Sequence, residues 1–224
     1  LKLILFDLDQ TLVDVLSHHE AAYEQMFEEV FGVAAKLTDI EFWGKITPNI
    51  IEEMARLKRV PKSEVRRRLP EAMEKLEAYF QKSLRKGKVK VLPGVRRLLA
   101  DLKRRGHALG VLTGNPEGIT RAVLKRCGLE GYFDFLIYGS KARRRSELVG
   151  EAIAQAGRRF DKRFEGKDVV IIGDSTHDIE CGKPYGALTI AVATGFHSKR
   201  KLKQHRPDHL FKNLADPGIL EILS

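Results

Sequence analysis

Two aspartates, Asp7 and Asp9, stand two residues apart directly after the apolar run Leu3-Ile4-Leu5-Phe6. A short apolar run that gives way to polar residues reads as a buried strand, so both carboxylates sit at its C-terminal end. Carboxylates at i and i+2 can divide the work: one attacks an electrophile, the other moves protons. A second acidic pair follows Val169-Val170-Ile171-Ile172, in Gly173-Asp174-Ser175-Thr176-His177-Asp178. Asp174 and Asp178 are one helical turn apart. Between the two acidic segments lies Leu112-Thr113-Gly114-Asn115. A hydroxyl and backbone N–H groups in such a turn can bind anionic oxygens. Any one of these aspartates alone reads equally well as a helix N-cap. The three strand ends together are what suggest a site.

These strand ends imply a particular scaffold. Residues 108–112, 169–172 and 188–192 have the same apolar shape as residues 3–6, and Phe135-Leu136-Ile137-Tyr138 makes a fifth strand. Helical stripes separate them. Val95, Leu98, Leu99 and Leu102 recur at i, i+3, i+4 and i+7; Leu148, Ala152, Ile153 and Ala156 form another stripe, expected to end near Gly157. Alternating strands and helices predict an α/β fold: a Rossmann-like three-layer core around a mostly parallel sheet. Ligands of such sheets bind beyond the carboxyl ends of the strands, where Asp7, Thr113 and Asp174 fall. Residues 15–88 look helical throughout. Ser17-His18-His19-Glu20 reads as a capping box, Tyr23, Met26, Phe27, Val30 and Phe31 as one buried face, and Pro70 as a first-turn residue. The division expected is an α/β core of residues 1–14 and 89–224, with residues 15–88 as an inserted helical cap.

The 224 residues carry 40 Lys and Arg against 30 Asp and Glu, a net charge of +10. That excess suits a polyanion, a small phosphorylated ligand or a merely soluble surface. No apolar run approaches the roughly 18–20 residues of a membrane span. The two cysteines, Cys127 and Cys181, exclude a disulfide scaffold and a cysteine zinc site and fit a cytoplasmic protein with buried thiols.

In this order, the aspartate motif Asp7-Leu8-Asp9-Gln10-Thr11, Thr113 and Gly173-Asp174 with Asp178 resemble the haloacid dehalogenase-like superfamily. The likeness spans nearly the whole chain and is closest to phosphoglycolate phosphatase-like members with a helical cap. It implies a phosphatase in which Asp7 is the nucleophile and Asp9 the general acid and base. It implies Mg²⁺ held by the Asp7 carboxylate, the Asp9 backbone carbonyl and Asp174, with Asp178 a further ligand or a supporting partner; hard oxygen donors suit that ion. Thr113, Gly114 and Asn115 would bind phosphoryl oxygens. The family also places a cation before a helix. Here Arg145, in Arg145-Ser146-Glu147-Leu148-Val149, matches best; Lys141 matches by residue type and Arg143 by counting back from Gly157. Gln10 departs from the family's usual glycine. Asp9 favours a phosphatase over a dehalogenase, since dehalogenating relatives lack that carboxylate.

The partner expected is a small phosphorylated metabolite, with neither nucleic acid nor membrane, for a monomer or homodimer. Two rivals stand beside the phosphatase: a phosphomutase, with His18 or His19 delaying hydrolysis, and a basic nucleic-acid binder. His18 and His19 read as exposed residues at a helix start, Phe42 and Trp43 as packing rather than a substrate platform, and His177 as either a site or a surface residue.

Overall fold

The computed structural model describes residues 1–140, 142 and 144–223. Strand β1 (Leu3–Phe6) enters the core at once, and a two-residue strand β2 (Val13–Asp14) follows. Three helices come next: α1 (Leu16–Phe31), α2 (Thr47–Leu57) and α3 (Lys62–Lys86). A short β3 (Lys90–Val91) returns the chain, pairing antiparallel with β2 through Val13↔Val91 and Asp14↔Lys90. The helical segment thus leaves and re-enters at one narrow two-stranded joint.

The rest alternates: α4 (Val95–Arg104), β4 (Ala108–Thr113), α5 (Glu117–Cys127), β5 (Phe135–Tyr138), α6 (Arg145–Phe160), β6 (Val169–Gly173), α7 (Thr176–Gly182), β7 (Leu188–Val192), α8 (Lys199–Gln204), β8 (His209–Phe211) and α9 (Gly218–Ile222). The main sheet has the order β5-β4-β1-β6-β7-β8, with every pairing parallel. Strand β1 is central, paired with β4 through Phe6↔Val111 and with β6 through Phe6↔Ile172. Its four residues, and all six of β4, are buried, as continuous apolar runs require when helices cover both sheet faces. The five expected strands are all present. Strand β8 was not expected: three half-buried edge residues carry no apolar run.

In the helical segment, α1 buries Tyr23, Met26, Phe27, Val30 and Phe31 on one face and packs against α3. Each such burial is worth roughly 1.5–3 kcal/mol. Gly32, at φ 65°, ends α1 in the left-handed conformation that a residue without Cβ adopts freely. Three local expectations are corrected. Helix α1 starts one residue before Ser17, with Val15 at its cap and no capping side chain, so there is no capping box at residues 17–20. Pro70 lies inside α3 rather than in its first turn, because packing on α1 sustains the helix through it. Gly157 does not end α6, which continues to Phe160 and closes on Asp161 at φ 47°.

Candidate active site

The parallel register brings the carboxyl ends of β1, β4 and β6 side by side, and Asp7, Thr113 and Asp174 meet there. Each is buried, at 7%, 2% and 4% exposure. Donor oxygens of Asp7, Asp174 and Asp178 lie within 4.8 Å of one another. Thr11 holds Asp174 in place through a 3.1 Å hydrogen bond to Oδ1. On the far side of Asp174 stands Gly195, where even a methyl group would collide with the carboxylate.

Arg145 is the cation of this site. It is the first residue of α6, and its guanidinium reaches across to donate to Asp7 and, at 2.6 Å, to Asp178 Oδ1. It also donates to the carbonyls of Leu112 and Gly44, each at 3.2 Å. The neighbouring Arg144 is exposed at the cap position of α6, and the two other cations weighed, Lys141 and Arg143, lie outside the described residues.

Asp178 has both oxygens engaged. Oδ1 takes Arg145, and Oδ2 accepts from the Ser175 backbone N–H at 2.9 Å and its hydroxyl at 2.6 Å. The capping box at the start of α7 therefore fixes the carboxylate that in turn fixes Arg145.

Asp9 faces the cavity from a different setting. Its Oδ2 receives Asn115 Nδ2 at 2.7 Å and His19 Nε2 at 3.0 Å, while Oδ1 is buried without a partner. Gln10 follows at φ 60°, a backbone conformation that glycine adopts more freely than other residues. Its side chain bonds Asp14 at 2.8 Å. Thr113 Oγ1 accepts the Asn115 N–H at 3.2 Å, which leaves the hydroxyl proton to donate elsewhere.

Electrostatics separate the two aspartates. Burial pushes Asp7 up to about 8; Arg145 opposes the shift, and Asp178 and Asp9 add to it by repulsion. Burial and repulsion from Asp7 and Asp178 likewise raise Asp174. Burial would raise Asp9 too, but His19, in charge and hydrogen bond, and Asn115 hold it below the usual aspartate range. Burial disfavours the Arg145 charge, yet Asp178 and Asp7 outweigh it, so the guanidinium stays charged. The cluster has more buried anionic charge than one arginine offsets. The buried hard oxygens of Asp7, Asp174 and Asp178 fit a divalent cation.

Segment 41–47 of the helical region crosses over this cluster. Thr47 donates through its N–H and its hydroxyl to the Gly114 carbonyl, at 3.0 and 3.1 Å. Gly44, at φ 73°, lies so close to Ser175 and His177 that a Cβ would strike both. Glu41 pairs with His197 Nε2 at 3.1 Å and with Lys201. Trp43 stacks on Phe196 at 3.8 Å and 11°.

Several expectations change here. His18 and His19 are buried, not exposed: His18 bonds Ser83 Oγ at 2.8 Å and the Lys88 carbonyl at 3.1 Å. Their helix face turns inward because α1 packs on α3. Phe42 and Trp43 line the cavity above Asp7 and Asp9 rather than only packing. His177 is half-buried with Nδ1 unpartnered, and burial lowers its pKa. Cys127 and Cys181 are buried thiols, and burial pushes Cys181 up to about 12. Sequence reasoning missed the Asn115 side chain, Ser175, Gly44 and Lys45. No periodicity marks them, although a glycine before a helix start was a usable hint for Gly44.

Comparison with known proteins places this geometry. A phosphoglycolate phosphatase of Synechococcus elongatus is 29% identical over 128 residues, 57% of this chain and 58% of that protein, so the chain spans less than two thirds of that relative. A phosphoglycolate phosphatase of Pseudomonas savastanoi is 25% identical over 99% of this chain and 80% of its own length. A crystal structure described as a predicted phosphatase from Clostridium acetobutylicum has the same fold, with a TM-score of 0.78 at 21% identity over 98% of both chains. The haloacid dehalogenase-like hydrolase profile matches residues 4–192. With most of its length inside that match, the chain belongs to the haloacid dehalogenase-like hydrolases.

Proposed function

We propose that the protein is a Mg²⁺-dependent phosphatase that hydrolyses a small phosphomonoester. One observation carries this reading: Asp7, Asp9, Thr113, Arg145 and Asp174 converge on one cavity at the carboxyl ends of adjacent strands. The names of the relatives point the same way.

An Asp7 oxygen attacks phosphorus while the bond from phosphorus to the ester oxygen breaks, giving an aspartyl-phosphate. The anionic phosphoryl group raises Asp9 from its depressed resting value, and the protonated acid gives its proton to the departing oxygen. Deprotonated Asp9 then takes a proton from the water that attacks phosphorus, which frees phosphate and restores Asp7. Thr113, Asn115 and the Gly114 backbone would hold the phosphoryl oxygens, and Arg145 would offset their charge. Asp7, Asp174 and the Asp9 carbonyl would hold Mg²⁺, which supplies charge neutralisation between the anionic nucleophile and the phosphoryl group. Asp178, with both oxygens in use, acts through Arg145. Residues 15–88 form the cap of a core made by residues 1–14 and 89–224, and segment 41–47 closes the site against water.

Turnover of p-nitrophenyl phosphate with Mg²⁺ tests the reading. Asp7→Asn is expected to abolish it, as is EDTA, with Mg²⁺ restoring it. Full activity in Asp7→Asn overturns the mechanism.

His19 on Asp9 favours a second reading, a phosphomutase. A histidine that holds the base away from water slows hydrolysis and gives a bound product time to take back the phosphoryl group. Product analysis with a sugar phosphate separates the two: an isomerised phosphate supports the mutase, free phosphate the hydrolase.

A further inference from the structure

The cavity has two unlike halves. Its floor is the charged cluster of Asp7, Asp9, Arg145 and Asp174, and its roof comes from the helical segment. Leu16, Leu37, Phe42 and Ile50 make the apolar part of that roof, the last three at 1%, 9% and 7% exposure, with Tyr23, Trp43 and Lys45 beside them. Two of the polar groups beside them are already engaged. The Tyr23 hydroxyl is hydrogen-bonded with Thr47. Lys45, the roof's ammonium among the described residues, is paired with Glu53 at 2.5 Å. The space between floor and roof is small, about 60 Å³, and opens to solvent on one side.

We infer that the leaving group is a compact, uncharged alcohol or phenol with an apolar face, and that esters bearing a carboxylate or several hydroxyls are poor substrates. The inference rests on the phosphatase reading and departs from the glycolate ester named for the relatives. A carboxylate on the leaving group would have to take Lys45 from Glu53 or lie unpaired on apolar side chains beside Asp9, and both are costly. Sugar hydroxyls would lose water without gaining partners, since the roof has few donors or acceptors to spare. An alkyl or aryl group buries apolar surface against the roof and gives up nothing.

The test is kcat/KM with Mg²⁺ for isobutyl phosphate, phosphoglycolate and glucose 6-phosphate, with p-nitrophenyl phosphate as reference. Isobutyl phosphate is expected to exceed the other two esters by at least about 10-fold, the scale on which a hydrophobic pocket discriminates. Glu53→Gln frees Lys45 and is expected to narrow the gap to phosphoglycolate by about 5-fold. Ile50→Thr, which shortens the side chain by one carbon and adds a hydroxyl, is expected to lower turnover of isobutyl phosphate more than that of phosphoglycolate. Phosphoglycolate or glucose 6-phosphate matching isobutyl phosphate in the unmodified protein overturns the inference, as do variants that leave the ratios unchanged. If p-nitrophenyl phosphate is turned over in that case, the phosphatase reading survives alone. No turnover of any of the four overturns that reading and the inference with it.

Discussion

Arg145 and Gly44 meet across the junction between the sheet and the helical segment: the Arg145 guanidinium donates to the Gly44 carbonyl at 3.2 Å. The cation beside Asp7 is thus completed by a group from the roof. A Gly44→Ala side chain would strike Ser175 and His177, and its φ of 73° suits glycine. The substitution is expected to lower kcat/KM for p-nitrophenyl phosphate by about 10–100-fold, the scale of a displacement near the reacting groups. The far-UV circular dichroism spectrum should be unchanged, which separates a displaced site from a lost fold. A variant of full activity would show that segment 41–47 does not shape the site.

Asp178 and Asp174 are expected to separate under mutation. Asp174→Asn removes an oxygen donor of the proposed Mg²⁺ site and should abolish Mg²⁺ binding measured by titration calorimetry. Asp178→Asn loses the carboxylate that anchors Arg145 but leaves the other donors, so Mg²⁺ affinity should fall by only about 10–100-fold. Its larger effect should be on stability, since removing one partner of a buried ion pair costs about 3–5 kcal/mol. Equal loss of Mg²⁺ binding in both variants would place Asp178 on the metal itself.

Gln10 occupies a left-handed backbone position at φ 60°. Gln10→Ala keeps the strain and loses the Asp14 hydrogen bond, whereas Gln10→Gly loses the bond but relieves the strain. The glycine variant should therefore be the more stable by about 1 kcal/mol in urea unfolding. The reverse order would mean that the backbone there is not strained.

Asp208 ties β8 to β7. Its Oδ2 accepts from the Thr189 N–H at 2.8 Å and hydroxyl at 2.9 Å, and Oδ1 pairs with Lys167. Burial works against its charge, but Lys167 and Thr189 outweigh that and hold it below the ordinary aspartate range. A depressed carboxylate stabilises the fold fully above its unfolded-state pKa, and that stability is lost as pH falls through the lower folded value. Asp208→Asn should thus cost about 1 kcal/mol at pH 7 and progressively less below about pH 4. Urea midpoints at several pH values check this; a difference that grows on acidification reverses the sign and overturns it.

Much of this arrangement was legible in the chain. Uninterrupted apolar runs before Asp7, Thr113 and Asp174 give strands buried on both faces, and parallel pairing then brings their ends together. Arg145 was readable as the first residue of a helix, although Gly157 misdirects a count from the other end because α6 runs past it. His19 was misjudged for a tertiary reason: only the packing of α1 on α3 turns it onto Asp9. Of segment 41–47 the pattern showed only the aromatic pair Phe42 and Trp43 and a helix start at Thr47-Pro48. Its contacts are made by carbonyls, a glycine and isolated side chains, which follow no period.

Trp43 is the chain's one tryptophan. Its indole lies face to face with Phe196, a ring 55% exposed on the loop after β7. The molecule therefore carries a built-in optical gauge. Lifting of the roof would unstack the pair, wet the indole and shift its emission to longer wavelength, so stopped-flow fluorescence could time opening and closing without any attached dye.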